Sequence, residues 1–180
     1  MGKTSTLTVA LGDYEEEDGL GIMADLSTAS TVADMATRVL DAALRRLGRR
    51  WKDVISDIVH SIGLSVTVGA DPMTGLPTAS LDIRLRDADV ADQRETFGRV
   101  LDSIDQAAAE RNIHVAVVLD EFQEIHRFGG EDAEWHLRGV IQQHRHISYV
   151  LAGSKPDLIR RMLGKGRAFY GLLDKLPFGP

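Results

Sequence analysis

Along the chain the apolar residues change their spacing several times, and each change marks an element. From Ser30 onward Val32, Met35, Ala36, Val39, Leu40, Ala43 and Leu47 recur at helical spacing, with Ser30 placed to cap the N-terminus. A second helical stripe, Trp51, Val54, Ile55, Ile58, Val59 and Ile62, stops at Gly63. The period then falls to two. "LSVTV" and "SLDIRL" alternate apolar and polar residues around "GADPMTGLP", which predicts a β-hairpin inserted between helices over about residues 64–86. Helical spacing returns from about Ala91 to Arg111, with Phe97, Val100, Leu101, Ile104 and Ala108 as its buried stripe.

Three apolar runs are continuous rather than alternating. "LGIMADL" from Leu20 to Leu26, "HVAVVLDEFQEI" and "ISYVLAGS" suit strands covered on both faces, as in a parallel sheet between helices. "TSTLTVALG" suits a short helix from Thr4 to Gly12, and "DYEEEDG" after it a surface turn. "WHLRGVIQQH" reads as a helix, and "KPDLIRRML" as one that starts after Pro156. Strands alternating with helices predict a layered α/β fold.

At 180 residues and 43% hydrophobic composition, the chain can build one sizeable core and is short for two domains. A formal charge of -6 argues against a general nucleic-acid binder, and the local basic stretch "RRLGRR" at Arg45 to Arg50 reads as a solvated helix end. There is no cysteine, which removes disulfides and thiolate metal sites. No apolar run approaches the ~20 residues that cross a bilayer, and the start does not resemble a signal peptide, so a cytoplasmic protein away from membranes is expected.

Chemistry enters at two places. Gly2, Lys3 and Thr4 supply the last three letters of a Walker A phosphate loop, G-x-x-x-x-G-K-S/T, immediately before a helix. Far along the chain, the strand "VAVVLD" ends in Asp120 and Glu121, at the edge where open α/β sheets bind ligands. Asp120 suits Mg²⁺ and Glu121 suits an attacking water, although an acidic pair often only opens a loop or caps a helix. A third strand leads to Gly153 and Ser154. Together these are the parts phosphoryl transfer needs: amides and a lysine for phosphate, a hydroxyl and a carboxylate for the metal, and a polar group near the water.

The segments "MGKTS", "ADLSTASTVADMATRVL", "VAVVLDEFQEI", "LRGVIQQHRHISYVLAGS" and "RAFYGLLDKLPFGP" resemble the nucleotide-binding core of AAA+-related P-loop ATPases. Within that group they most resemble the archaeal-type ATPases related to the STAND signalling class. The resemblance spans almost the whole chain. It implies a three-layer α/β P-loop NTPase core, a mostly parallel sheet in the order 5-1-4-3-2, and Mg²⁺-dependent ATP hydrolysis used as a conformational switch. By position it implies that Lys3 is the Walker A lysine, Thr4 the Mg²⁺ hydroxyl and Gly2 part of the loop. Asp120 and Glu121 would be the Walker B pair, with Ser154 as sensor 1. Arg160, Arg161 and Arg167 would be candidates for a basic residue on phosphate, including that of a neighbouring subunit; their bland reading is surface charge.

The family's first strand and the opening of Walker A would precede Met1. Met1 is therefore expected to be an internal methionine of the loop, and residues 1–180 a partial nucleotide-binding domain. The strand is expected between the strands ending at Asp120 and Ser154, leaving a slot unless those two close up and pair. A lid and winged helix would follow Pro180, and nucleic acid would be reached only through them. Other expected partners are a second copy or a partner protein. The contrasting reading is a non-catalytic interaction module that keeps the fold without nucleotide.

Other polar residues carry weaker signals. His144 with His146, and His126 with His136, lack the companions of a metal site and read as polar helix surface. Trp51 and Trp135 fall in helical patterns and read as core anchors. Gln123 and Glu124 read equally as nucleotide sensors and as residues opening a helix.

Overall fold

A computed structural model of the chain describes residues 2–16, 19–47, 65–70, 77–82 and 90–176. The helix α1 spans Lys3–Glu16, strand β1 Leu20–Asp25, helix α2 Val32–Leu47, strands β2 Ser65–Ala70 and β3 Pro77–Asp82, and helix α3 Val90–Arg111. Strand β4 (Val115–Asp120), helix α4 (Glu124–Ile141), strand β5 (Ile147–Leu151) and helix α5 (Pro156–Met162) complete it. The stripe from Trp51 to Ile62 lies outside the described residues, as do Met1 and the Gly48 to Arg50 part of the basic stretch.

The sheet explains the layering. β1, β4 and β5 lie side by side in that order, all parallel, with Leu20 opposite Val115 and Val115 opposite Ile147. All six residues of β4 are buried, as the unbroken apolar run predicts. Alternate side chains go to opposite faces. Ala116 and Val118 meet Leu7 and Leu11 of α1, while Val115, Val117 and Leu119 join the larger core of α2, α3 and α4. The result is a mixed α/β fold of three layers, with α1 on one face and the other long helices on the opposite face.

β4 and β5 are hydrogen-bonded directly, so no slot separates them. The expectation of a strand between them is corrected: the two strands pair with each other. In the order 5-1-4-3-2, strands 4, 3 and 2 are already neighbours; β5, β4 and β1 reproduce that portion. The outer side of β5 has no strand partner among the described residues, and β5 is half-buried to exposed, with Val150 39% accessible. The expectation of a strand buried on both faces therefore fails for β5, because α1 lies over β1 and β4.

Three local departures have physical reasons. The first helix does not stop at Gly12 but continues to Glu16, because Leu11 and Tyr14 pack on the sheet and offset the ~1 kcal/mol helix penalty of glycine. The cap of α2 is Thr31 rather than Ser30: Thr31 Oγ1 accepts the Asp34 amide at 3.0 Å, and Asp34 Oδ2 accepts the Ser30 amide at 2.9 Å. α4 starts well before "WHLRGVIQQH" and is broken at Gly130, whose φ of 63° and ψ of -161° belong to a region essentially reserved for glycine. β2 and β3 pair antiparallel, with Ala70 opposite Pro77, as the hairpin pattern predicts.

Candidate functional site

The carboxyl ends of β4 and β5 meet the first turn of α1. Lys3 Nζ lies 2.7 Å from Asp120 Oδ1 and donates to Glu121 Oε1 at 3.0 Å. Thr4 Oγ1 donates to Asp120 Oδ2 at 2.9 Å. Ser154 Oγ donates to Glu121 Oε2 at 2.6 Å. Gly2 leads into the helix, its carbonyl accepting from the Thr6 amide at 3.1 Å. The structure thus brings Gly2, Lys3, Thr4, Asp120, Glu121 and Ser154 to one corner of one sheet.

Local structure explains the convergence. β4 and β5 keep pairing to their ends, through Ala152 N to Leu119 O at 3.0 Å and Phe122 N to Ala152 O at 2.8 Å, so the two exit loops are held side by side. Asp120 is fixed further by the Glu121 amide, which donates to its Oδ1 at 2.9 Å. Glu121 itself has a φ of 55°, an uncommon left-handed conformation for a non-glycine residue that turns the chain sharply out of the strand. The α1 N-terminus adds leading amides without acceptors inside the helix and the positive end of the helix dipole. Both favour an anion.

The charges are coupled. Burial alone would raise the Glu121 pKa, but hydrogen bonds from Ser154, Gln123 and Lys3, with the nearby ammonium, outweigh it and bring the carboxyl down to about 2. Burial would lower the Lys3 pKa, yet its bonds and attraction to Asp120 and Glu121 raise it overall. Lys3 and Glu121 keep about a fifth of their side-chain surface accessible, whereas Asp120 is nearly buried. One cation faces two carboxylates, so the cluster retains room for further positive charge.

The donor set fits Mg²⁺. One hydroxyl and one or two carboxylates are what this ion takes from a protein when phosphate oxygens and water supply the rest. Among the described residues no group of three or more His, Asp or Glu forms a cage that would hold a metal by itself.

The other candidates lie elsewhere. Arg160 pairs with Asp157 at 3.4 Å and Arg161 approaches Glu131 at 3.9 Å, both as exposed pairs. Arg167 binds Glu131 and stands 4.0 Å from the fully buried Glu134. Arg161 thus ties α5 to α4, and Arg167 ties the stretch after α5 to α4. His126 Nδ1 also meets Glu134, at 2.6 Å. His144 is not polar helix surface: its ring is buried, with Nδ1 2.6 Å from the Tyr149 hydroxyl and Nε2 2.9 Å from Asp102 Oδ1. Trp135 is 48% exposed rather than a core anchor, because the buried stripe after the Gly130 break runs through Ala133, Glu134, Leu137 and Ile141.

Sequence reasoning left Gln123 undecided between two readings. It is 1% exposed and donates through Nε2 to Glu121 Oε2 at 2.5 Å. Its only sequence signal was its place two residues after Glu121.

No family model matches the sequence, and no curated protein matches it. Among solved structures the chain is similar to the Walker-type ATPase PABY2304 of Pyrococcus abyssi, at 12% identity and a TM-score of 0.48 over 87% of this chain and 40% of that one. It is also similar to the ORC2 protein of Aeropyrum pernix in ADPNP–ADP complexes, at 15% identity and a TM-score of 0.47 over 89% of this chain and 33% of that one. The chain therefore spans less than half the length of either protein, and similarity of this degree assigns no activity.

Proposed function

We propose that this chain is the nucleotide-binding core of a Mg²⁺-dependent P-loop ATPase that works as a conformational switch. One observation carries the reading: Lys3 and Thr4 reach Glu121 and Asp120 across 118 and 116 positions of sequence, in the pairing that phosphate and metal chemistry requires. In this reading the α1 amides and Lys3 hold phosphate, Thr4 and Asp120 hold Mg²⁺, and Glu121 and Ser154 address the attacking water. When bound there, Mg²⁺ would supply Lewis-acid neutralisation of the charge that develops on phosphate.

The Lys3 contacts have a functional sense here. With Lys3 and two neutral donors on it, the Glu121 carboxylate is too weak a base to take a proton efficiently. A lysine engaged by phosphate no longer neutralises Glu121 Oε1, and the carboxylate becomes more basic when substrate is in place.

Titration calorimetry of the chain with Mg-ATP, together with phosphate release, tests the reading. Saturable binding that Lys3→Ala weakens, and turnover that Glu121→Gln sharply lowers, are expected. No saturable binding by the chain, or by a longer version extended before Met1, would leave the non-catalytic interaction module as the better account.

A further inference from the structure

We infer that Gln123 is a positioning residue that divides the labour between the two oxygens of Glu121, reserving Oε1 for chemistry. The inference rests on the nucleotide reading above. Gln123 is a polar side chain with almost no solvent access, and its Nε2 donates to Glu121 Oε2 at 2.5 Å. Ser154 Oγ donates to the same oxygen at 2.6 Å. Two neutral donors, from separate loops, thus converge on Oε2. Among the described residues, Lys3 Nζ is the donor on Oε1, at 3.0 Å.

The opposite end of the amide explains why Gln123 stays there. Its Oε1 is buried and has no hydrogen-bond partner. A buried acceptor without a partner is costly, and a glutamine free to turn would seek water. It cannot, because the exit of β5 closes over it. A Cβ built on Gly153 would stand 2.3 Å from Gln123 Oε1 and 2.7 Å from Ile159 Cδ1. Gly153 therefore has to lack a side chain for this amide to fit behind Glu121. The unsatisfied oxygen is tolerated where the amide nitrogen has a charged acceptor, and a charge-assisted bond of this kind is about twice as strong as a neutral one.

The consequence concerns orientation. Glu121 leaves the strand with a left-handed backbone, and its carboxylate is held by Lys3 on Oε1 and by Gln123 and Ser154 on Oε2. Gln123 and Ser154 fix one oxygen and thereby aim the other. Removal of Gln123 leaves Ser154 alone on Oε2 and loosens the carboxylate, while Thr4 and Asp120 and the Lys3–Asp120 pair stay in place. Substrate binding should then survive while the chemical step slows, the pattern expected when only alignment is lost.

Two measurements on the full chain test this. In ¹⁵N-labelled protein, one Gln123 side-chain amide proton should resonate downfield of free glutamine and exchange slowly, and Glu121→Ala should return it to the free position. With Mg-ATP, Gln123→Met, which keeps length and bulk, should lower saturated turnover about tenfold or more and leave affinity within about threefold. Gly153→Ala should reproduce that split from the other side, and thermal melts show whether each variant is folded. Wild-type turnover in a folded Gln123→Met variant, or a Gln123 amide at the free position in the wild type, overturns the inference. Failure of the wild type to bind Mg-ATP overturns the nucleotide reading instead, and the amide resonance still decides whether Gln123 holds Glu121.

Discussion

Two polar clusters sit at opposite ends of the same parallel strands, and they are built differently. At the amino ends, His144 bridges Tyr149 and Asp102, while Asp105 accepts the Arg145 and His146 amides at 3.1 and 2.8 Å. Burial, with Asp105 and Asp102 nearby, pushes the Tyr149 pKa up, so its hydroxyl remains a neutral donor. Both ring nitrogens of His144 are satisfied, and the cluster ties α3 to the turn before β5. At the carboxyl ends, Lys3, Asp120 and Glu121 are charged, unequal in number and partly open to water. The amino-end cluster joins one helix to one turn through fixed bonds to backbone and ring groups, whereas one cation shared by two carboxylates at the carboxyl ends can exchange partners.

Substitutions can break that contrast. The largest expected effect is from Glu121→Gln, which should lower saturated Mg-ATP turnover by about 100-fold or more while affinity changes little, since Asp120 and Thr4 are untouched. Next, Lys3→Ala should weaken Mg-ATP binding by about tenfold or more in calorimetry, because it removes the cation nearest the helix N-terminus. Neither activity nor affinity should respond to His144→Phe. That variant should instead destabilise the fold by about 1–3 kcal/mol in urea unfolding, by leaving the buried Tyr149 hydroxyl without its acceptor.

The smaller effects sharpen the comparison. A carboxylate with a folded pKa near 2, against the usual 4.5, contributes stability that is complete above pH 4.5 and lost as pH falls toward 2. The stability gap between wild type and Glu121→Gln, followed by thermal unfolding, should therefore narrow over that window. A constant gap would show that Glu121 is held by something other than its charge. Smallest of all, Asp102→Asn should cost less than about 1 kcal/mol, because Asp102 is 58% exposed and its partner can still be hydrogen-bonded.

What was legible in the sequence follows from how each signal arises. β4 could be read because burial on both faces demands an unbroken apolar run, and α2 because one buried face imposes helical spacing. Lys3, Thr4, Asp120, Glu121 and Ser154 could be nominated because a Gly-Lys-Thr before a helix and polar residues just past two apolar strands fall at one sheet edge, where the structure brings them together. β5 misled because its apolar composition does not reveal that α1 stops short of it. Trp135 misled because the helical phase resets at Gly130, and a backbone angle leaves no periodic trace. Gln123 stayed undecided because a glutamine opening a helix and one locked behind a carboxylate are the same letter. Only the third dimension distinguishes them.

The register of the sheet has a consequence for how the site is assembled over time. β4 and β5 join residue 115 to residue 147 with only α4 between them, whereas β1 joins residue 20 to residue 115 across the hairpin and two long helices. Closing a short loop costs less entropy and is encountered sooner, so β4, α4 and β5 form the natural nucleus, and docking of β1 comes later. α1 packs on β1 and β4, so it can settle only after that docking. Lys3 and Thr4 are carried on its first turn. The carboxylates of Asp120 and Glu121 and their counter-charge on Lys3 thus meet across the docking of β1 on β4, which joins residue 20 to residue 115, and assembly of the site depends on that closure.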